Sequence, residues 1–169
     1  MFKNLKLLFI ILIFPFLIME CKSNSLEDNV KISLGISKPS INFYTDNLLK
    51  IIDKYPDIHV SIFYSKTGKN KTIPKDYMER FNLFMESIKP TFFVNTNNTN
   101  LELKDPEYRI TLYIEEKPIY LINIFNEKYI SINPWDGSYP PDIIDISPIH
   151  ERINIYNLCD YIIKNNIEK

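Results

Sequence analysis

The stretch from Tyr108 to Asn133, YRITLYIEEKPIYLINIFNEKYISIN, constrains the chain more than any other. Its side chains alternate apolar and polar with a period of two, the mark of β-strands with one buried face. Three-residue turns at Glu115-Glu116-Lys117 and Asn126-Glu127-Lys128 would pair Ile114 with Pro118 and Phe125 with Tyr129. That register gathers Tyr108, Ile110, Leu112, Ile114, Tyr120, Ile122, Ile124, Ile130 and Ile132 on one face. A slip of one residue would scatter the set, so burial should pin it. Neither turn contains Gly, so a two-residue turn is an alternative. The opposite face carries Arg109, Thr111, Tyr113, Ile119, Leu121, Asn123, Phe125, Tyr129 and Ser131, too apolar for plain solvated surface.

Helices must cover the Ile-rich face. Pro74 to Ile88 supplies the clearest one, with Tyr77, Met78, Phe81, Phe84, Met85 and Ile88 on one stripe and Pro74 in the first turn. A shorter helix is predicted over Asn47 to Tyr55, capped by Thr45 or Asp46 and stopped before Pro56. A last one is predicted over Ile153 to Asn165, capped by Asn154, with Tyr156, Cys159, Ile162 and Ile163 as its stripe. Ile58 to Tyr64 is a strand, Thr91 to Val94 a short strand, and Ser65 to Lys71 and Asn95 to Asn100 are loops. Pro134 to Pro148, with four Pro and the chain's one Trp, reads as a stiffened loop. The expected fold is therefore α+β, an antiparallel sheet built on the meander with helices packed on one face.

Residues 1 to 20 stand apart. Lys3 and Lys6 precede an apolar run from Leu7 to Met19 that is too short to span a bilayer and suits the core of a signal peptide. The run ends in Leu17-Ile18-Met19-Glu20-Cys21. This resembles a bacterial lipoprotein signal, although Glu20 stands where that pattern has a small residue. The resemblance covers the first 21 residues and implies an acylated Cys21 at the mature N-terminus, a membrane anchor and a place in the cell envelope. Cleavage after Ser23, giving a soluble exported protein, and an uncleaved anchor are the alternatives. The division that follows is a signal over 1–20, a tether and edge strand (Val30 to Ile36) over 21–44, and one domain over 45–169.

Charge narrows the partners. The chain has 20 basic and 21 acidic residues, and loss of Lys3, Lys6 and Glu20 with the leader moves the balance one charge further negative. Nucleic acid, which demands a basic face, is not an expected partner. With 3 Gly there is no phosphate-cradling loop. No cofactor or metal is expected: Asp136, Asp142, Asp145 and Glu151 surround the Pro-rich loop, but at no recognised cation-binding spacing. A thiol enzyme would need Cys159 to meet His59 or His150 in space.

Binding is the expected role, at a membrane surface and toward an envelope component or a protein partner, with an immunity- or inhibitor-like task as one form of it and an envelope hydrolase or a structural subunit as alternatives. The candidate surface joins Trp135 and Tyr139 of the loop with Tyr113, Leu121, Phe125 and Tyr129 of the second sheet face. Trp135 is either an exposed anchor in a Pro-stiffened loop or a lid folded over the sheet edge. No catalytic residue is assigned.

Overall fold

The computed structural model describes residues 37–95 and 101–165. The signal segment, Cys21, the tether, the Val30–Ile36 strand and most of the Asn95–Asn100 loop lie outside them. Three α-helices and six strands follow in the order α1 (Phe43–Lys54), β1 (His59–Tyr64), β2 (Lys69–Thr72), α2 (Lys75–Ser87), β3 (Tyr108–Ile114), β4 (Lys117–Ile124), β5 (Tyr129–Pro134), β6 (Asp142–Asp145) and α3 (Ile155–Lys164). The strands form one antiparallel sheet in the order β2-β1-β3-β4-β5-β6. This is the expected α+β architecture, and the meander forms its centre.

Register explains why the fold is one-sided. Ile62, Ile110, Ile122 and Ile132 lie opposite one another across four strands, and the row ends at Asp142 on β6. The next row is Tyr64, Tyr108, Ile124, Ile130 and Ile144. Both rows face the helices. Tyr44 and Leu48 of α1, Phe81, Phe84 and Met85 of α2, and Ile155, Leu158, Cys159, Ile162 and Ile163 of α3 complete the same core. Of the Ile-rich set read from sequence, all are buried except Ile114, which is partly buried against the core.

The first hairpin reaches the expected register by a different route. Ile114 pairs with Lys117, and the two-residue turn is Glu115-Glu116. Both glutamates have positive φ, 49° and 65°, as a type I′ turn requires. A bulge then inserts one residue: Tyr113 opposes Pro118 while Leu112 opposes Tyr120, leaving Ile119 extra. The short turn and the bulge offset each other, so the Ile-rich face survives intact. Left-handed glutamates are strained. Glu115→Asn with Glu116→Gly should therefore raise stability by about 1 kcal/mol and the melting temperature by roughly 3–6 °C. An unchanged or lower melting temperature would show that the turn is not strained. The second turn matches expectation: Phe125 N–H donates to Tyr129 O at 3.0 Å, and Asn126 Oδ1 accepts from Lys128 N and Tyr129 N at 2.8 and 2.9 Å.

Other elements depart from the sequence reading. Lys69 to Thr72 is an edge strand rather than loop, and Asp142 to Asp145 is a strand inside the Pro-rich segment. Each is four residues long and exists because a neighbour supplies its hydrogen-bond ladder. The 91–94 region is a 3₁₀ turn over Pro90–Phe92 followed by a single bridge from Phe93 to Ile144. Helix α1 begins at Phe43, four residues earlier than its polar residues suggest, and Thr45 lies within its first turn. Helix α3 is capped as expected: Asn154 Oδ1 accepts from Tyr156 N at 2.9 Å. Its Asp160 accepts from the Tyr108 hydroxyl at 3.0 Å, tying the helix to the sheet. Burial and Asp160 together push the Tyr108 phenol well above the ordinary tyrosine range.

One polar atom of α2 is orphaned. Asn82 Oδ1 is buried and has no hydrogen-bond partner among the described residues. A buried unpaired acceptor costs about 1–3 kcal/mol. Asn82→Leu, close to it in shape, should raise the urea midpoint by an amount equal to about 1 kcal/mol; a lower midpoint would reveal a partner for this carbonyl.

Candidate functional site

The second face of the sheet is built by the residues that the core leaves over. Parity places His59, Ser61 and Phe63 of β1, Arg109, Thr111 and Tyr113 of β3, Leu121 and Asn123 of β4, and Ser131 and Asn133 of β5 on it. The buried side chains of all three helices belong to the core on the other side. Tyr113, Leu121, Phe125 and Tyr129 are each half-buried, and none belongs to the core cluster.

A polar row divides this face. Arg109 Nε donates to Asn123 Oδ1 at 3.1 Å, and Asn123 Nδ2 donates to Ser131 Oγ at 3.3 Å. On one side of the row Phe125 and Tyr129 form a cross-strand pair, with Lys128 Nζ 5.0 Å from the Tyr129 ring centre. Phe63, beside Arg109, is 38% exposed. On the other side are Leu121 and Tyr113. Trp135 follows on the same face: its backbone N–H donates to Ile119 O at 3.0 Å, which continues the β4–β5 ladder by one residue. The indole is 57% exposed, the most of any large apolar residue described. The lid reading of Trp135 is thus not what the structure shows. His59 packs edge-on against Tyr113, ring centres 5.8 Å apart.

The bulge's extra residue, Ile119, is half-buried and packs against the core. The arrangement has the parts of a protein-binding patch, a rigid aromatic anchor with apolar neighbours on a scaffold that does not need to move.

Tyr139 is placed elsewhere. Its ring lies edge-on to Phe43 at 5.8 Å, and the Tyr44 hydroxyl accepts from its backbone N–H at 2.7 Å. It fastens the Pro-rich loop to α1 and does not meet Trp135. Gly137 allows that closure, because a Cβ there would stand 3.2 Å from the Tyr44 hydroxyl. Phe63, which the sequence reading left out of the surface, follows from the alternation of His59 to Tyr64 once β1 is known to pair with β3.

The other chemical candidates resolve into structure. Asp142 is buried and spent on Thr45 and Lys38. Asp145 accepts from Ser147 N and Oγ at 2.9 and 2.6 Å. No three His, Cys, Asp or Glu side chains converge to hold a metal ion among the described residues. Cys159 is fully buried in α3, and burial pushes its thiol far above the ordinary range, so it fills core volume as a protonated group. His150 is exposed and accepts from Arg152 N at 3.2 Å.

Comparison with known proteins agrees with the fold. A crystal structure of a candidate lipoprotein from Clostridium perfringens matches with a TM-score of 0.65 and 20% sequence identity, over 76% of this chain and 99% of that one. At this identity the likeness speaks for the shared fold. A search of curated proteins gives no significant match. The model of a family described as a domain of unknown function, DUF4883, matches residues 38–159, from just before α1 into α3. The chain belongs to the DUF4883 family.

Proposed function

We propose that this protein is an exported lipoprotein of the bacterial cell envelope that holds a protein partner on the second face of its sheet. The anchor rests on Lys3, Lys6, the apolar run Leu7 to Met19 and Cys21. Several acyl chains on one cysteine would anchor stably, since each buried CH₂ contributes about 0.8 kcal/mol. The mature chain is net acidic, so lipid and not charge would do the anchoring. The structural neighbour from Clostridium perfringens is described as a candidate lipoprotein, which supports the same reading.

The observation that carries the binding role is Trp135, 57% exposed on the face of Tyr113 and Leu121, which receives no buried helix side chain among the described residues. Two experiments test the reading. Labelling cells with a fatty acid should mark the wild type and leave Cys21→Ser unmarked; equal labelling removes the anchor. A photo-crosslinking residue at Trp135 should give a discrete protein adduct in cells, abolished by Leu121→Ser. The same probe at Leu83, 43% exposed on α2, should give none. Adducts that are equal at both sites, or indifferent to Leu121→Ser, would remove the face as an interface.

A further inference from the structure

Two adjoining grooves of about 460 Å³ each share Pro56, Ile58 and Met78. The one between α1 and α2 is lined by apolar side chains, among them Leu49, Ile52, Met78, Phe81 and Met85. Its size falls in the range of small-ligand sites. The two methionines suit it to irregular apolar shapes.

Its polar character has one sign. Asp53 and Glu86 are the only carboxylates or amines among its lining side chains, and both are exposed; Tyr55 and Asn82 are its neutral polar members. Each lies in the last turn of its helix, α1 ending at Lys54 and α2 at Ser87. The partial negative charge of two helix C-termini therefore adds to that of the two carboxylates. The last turn of α2 has no basic residue to offset it. The last turn of α1 has Lys54, whose Nζ sits 5.1 Å from the ring centre of Tyr55 at the groove wall. That contact shows a cation already resting on an aromatic of this rim.

We propose that this groove binds a cationic amphiphile, a protonated primary amine on an unbranched apolar body. The apolar part would lie against Leu49, Ile52 and Met85, and the ammonium would sit between Asp53 and Glu86. A carboxylate of the same length would gain the same apolar burial and meet like charge at the rim. The site is on the opposite side of the sheet from Trp135 and does not depend on the binding face or on lipidation.

The test uses the chain from residue 21 with Cys21→Ser, which keeps every residue of the core cluster, Tyr44 to Ile163. n-Octylamine and n-octanoate are titrated at pH 7 and low salt, with amide NMR shifts giving the Kd and its location. The expected result is a Kd at least tenfold lower for octylamine, with shifts at Leu49, Ile52 and Met85. Asp53→Asn with Glu86→Gln should reduce the preference to less than threefold, as should high salt. Met78→Trp, which fills the groove from a half-buried position, should weaken both ligands at least tenfold. Equal Kd values, shifts confined to other surfaces, or indifference to Met78→Trp would overturn the assignment. So would the absence of any octylamine shift at millimolar concentration.

Discussion

Asp142→Ala should destabilise the domain by about 3–5 kcal/mol. The carboxylate is the polar end of the central isoleucine row, with its side chain fully buried. It accepts from Thr45 N at 2.7 Å and from Thr45 Oγ1 at 2.8 Å, and it is in ion-pair contact with Lys38 Nζ. Thr45 is the third residue of α1, where the backbone N–H has no partner inside the helix. The residue before α1, Asn42, makes no side-chain cap bond. Asp142 therefore caps α1 from a strand 97 residues away, and the helix dipole favours its charge there.

Removing the carboxylate leaves the Thr45 N–H and hydroxyl buried and unpaired. Lys38, whose side chain is 16% exposed, can turn toward water, which favours the lower end of the range. Asp142→Asn keeps an acceptor and loses the charge, so it should cost less than Ala. Urea unfolding of the three proteins checks the order. A loss under 1 kcal/mol for Asp142→Ala would show that the carboxylate is not what holds the start of α1.

Phe84→Ala should cost about 3–5 kcal/mol by the same measurement. Phe84 has no exposed surface and sits between Phe81 and Met85 on the buried stripe of α2, both also fully buried. Alanine removes the apolar burial of a whole ring and leaves a cavity that a close-packed core closes only in part. Its sequence neighbour gives the control. Leu83 is 43% exposed on the same helix, so Leu83→Ala should change stability by less than about 0.5 kcal/mol. Similar losses at both positions would mean that α2 is rotated from the orientation described.

The contrast between Phe84 and Leu83 was legible without coordinates, because helical periodicity alone puts one on the stripe and the other off it. The two faces of the meander were legible in the same way. So were α3 and its Asn154 cap. In each case the signal lies within about ten residues, where side-chain period and capping chemistry act directly. The first hairpin shows the limit. From Leu112 and Tyr120 onward its register is the expected one, but Ile114 pairs with Lys117 instead of Pro118, and the bulge at Ile119 that compensates leaves no mark on the alternation.

The edge strands were not legible. Lys69 to Thr72 is polar, and Asp142 to Asp145 lies in a Pro-rich segment, so neither carries the alternation of a strand. They form because β1 and β5 offer unpaired backbone groups, and those become neighbours only after the sheet exists. The candidate surface divides on the same principle. Tyr113, Leu121, Phe125 and Tyr129 belong to the second face by parity. Whether Trp135 and Tyr139 joined them depended on the loop's docking, and Tyr44 drew Tyr139 to α1 while the ladder carried Trp135 to Ile119.

By itself, then, the sequence determined which meander residues are core and which stripe of α2 meets them, because burial there follows a local period. The tertiary structure alone decided which acid is structural, which aromatic is exposed and where the acidic groove opens. Those outcomes rest on contacts between residues far apart in the chain, as when Lys38 and Thr45 close on Asp142. No local pattern encodes such a meeting.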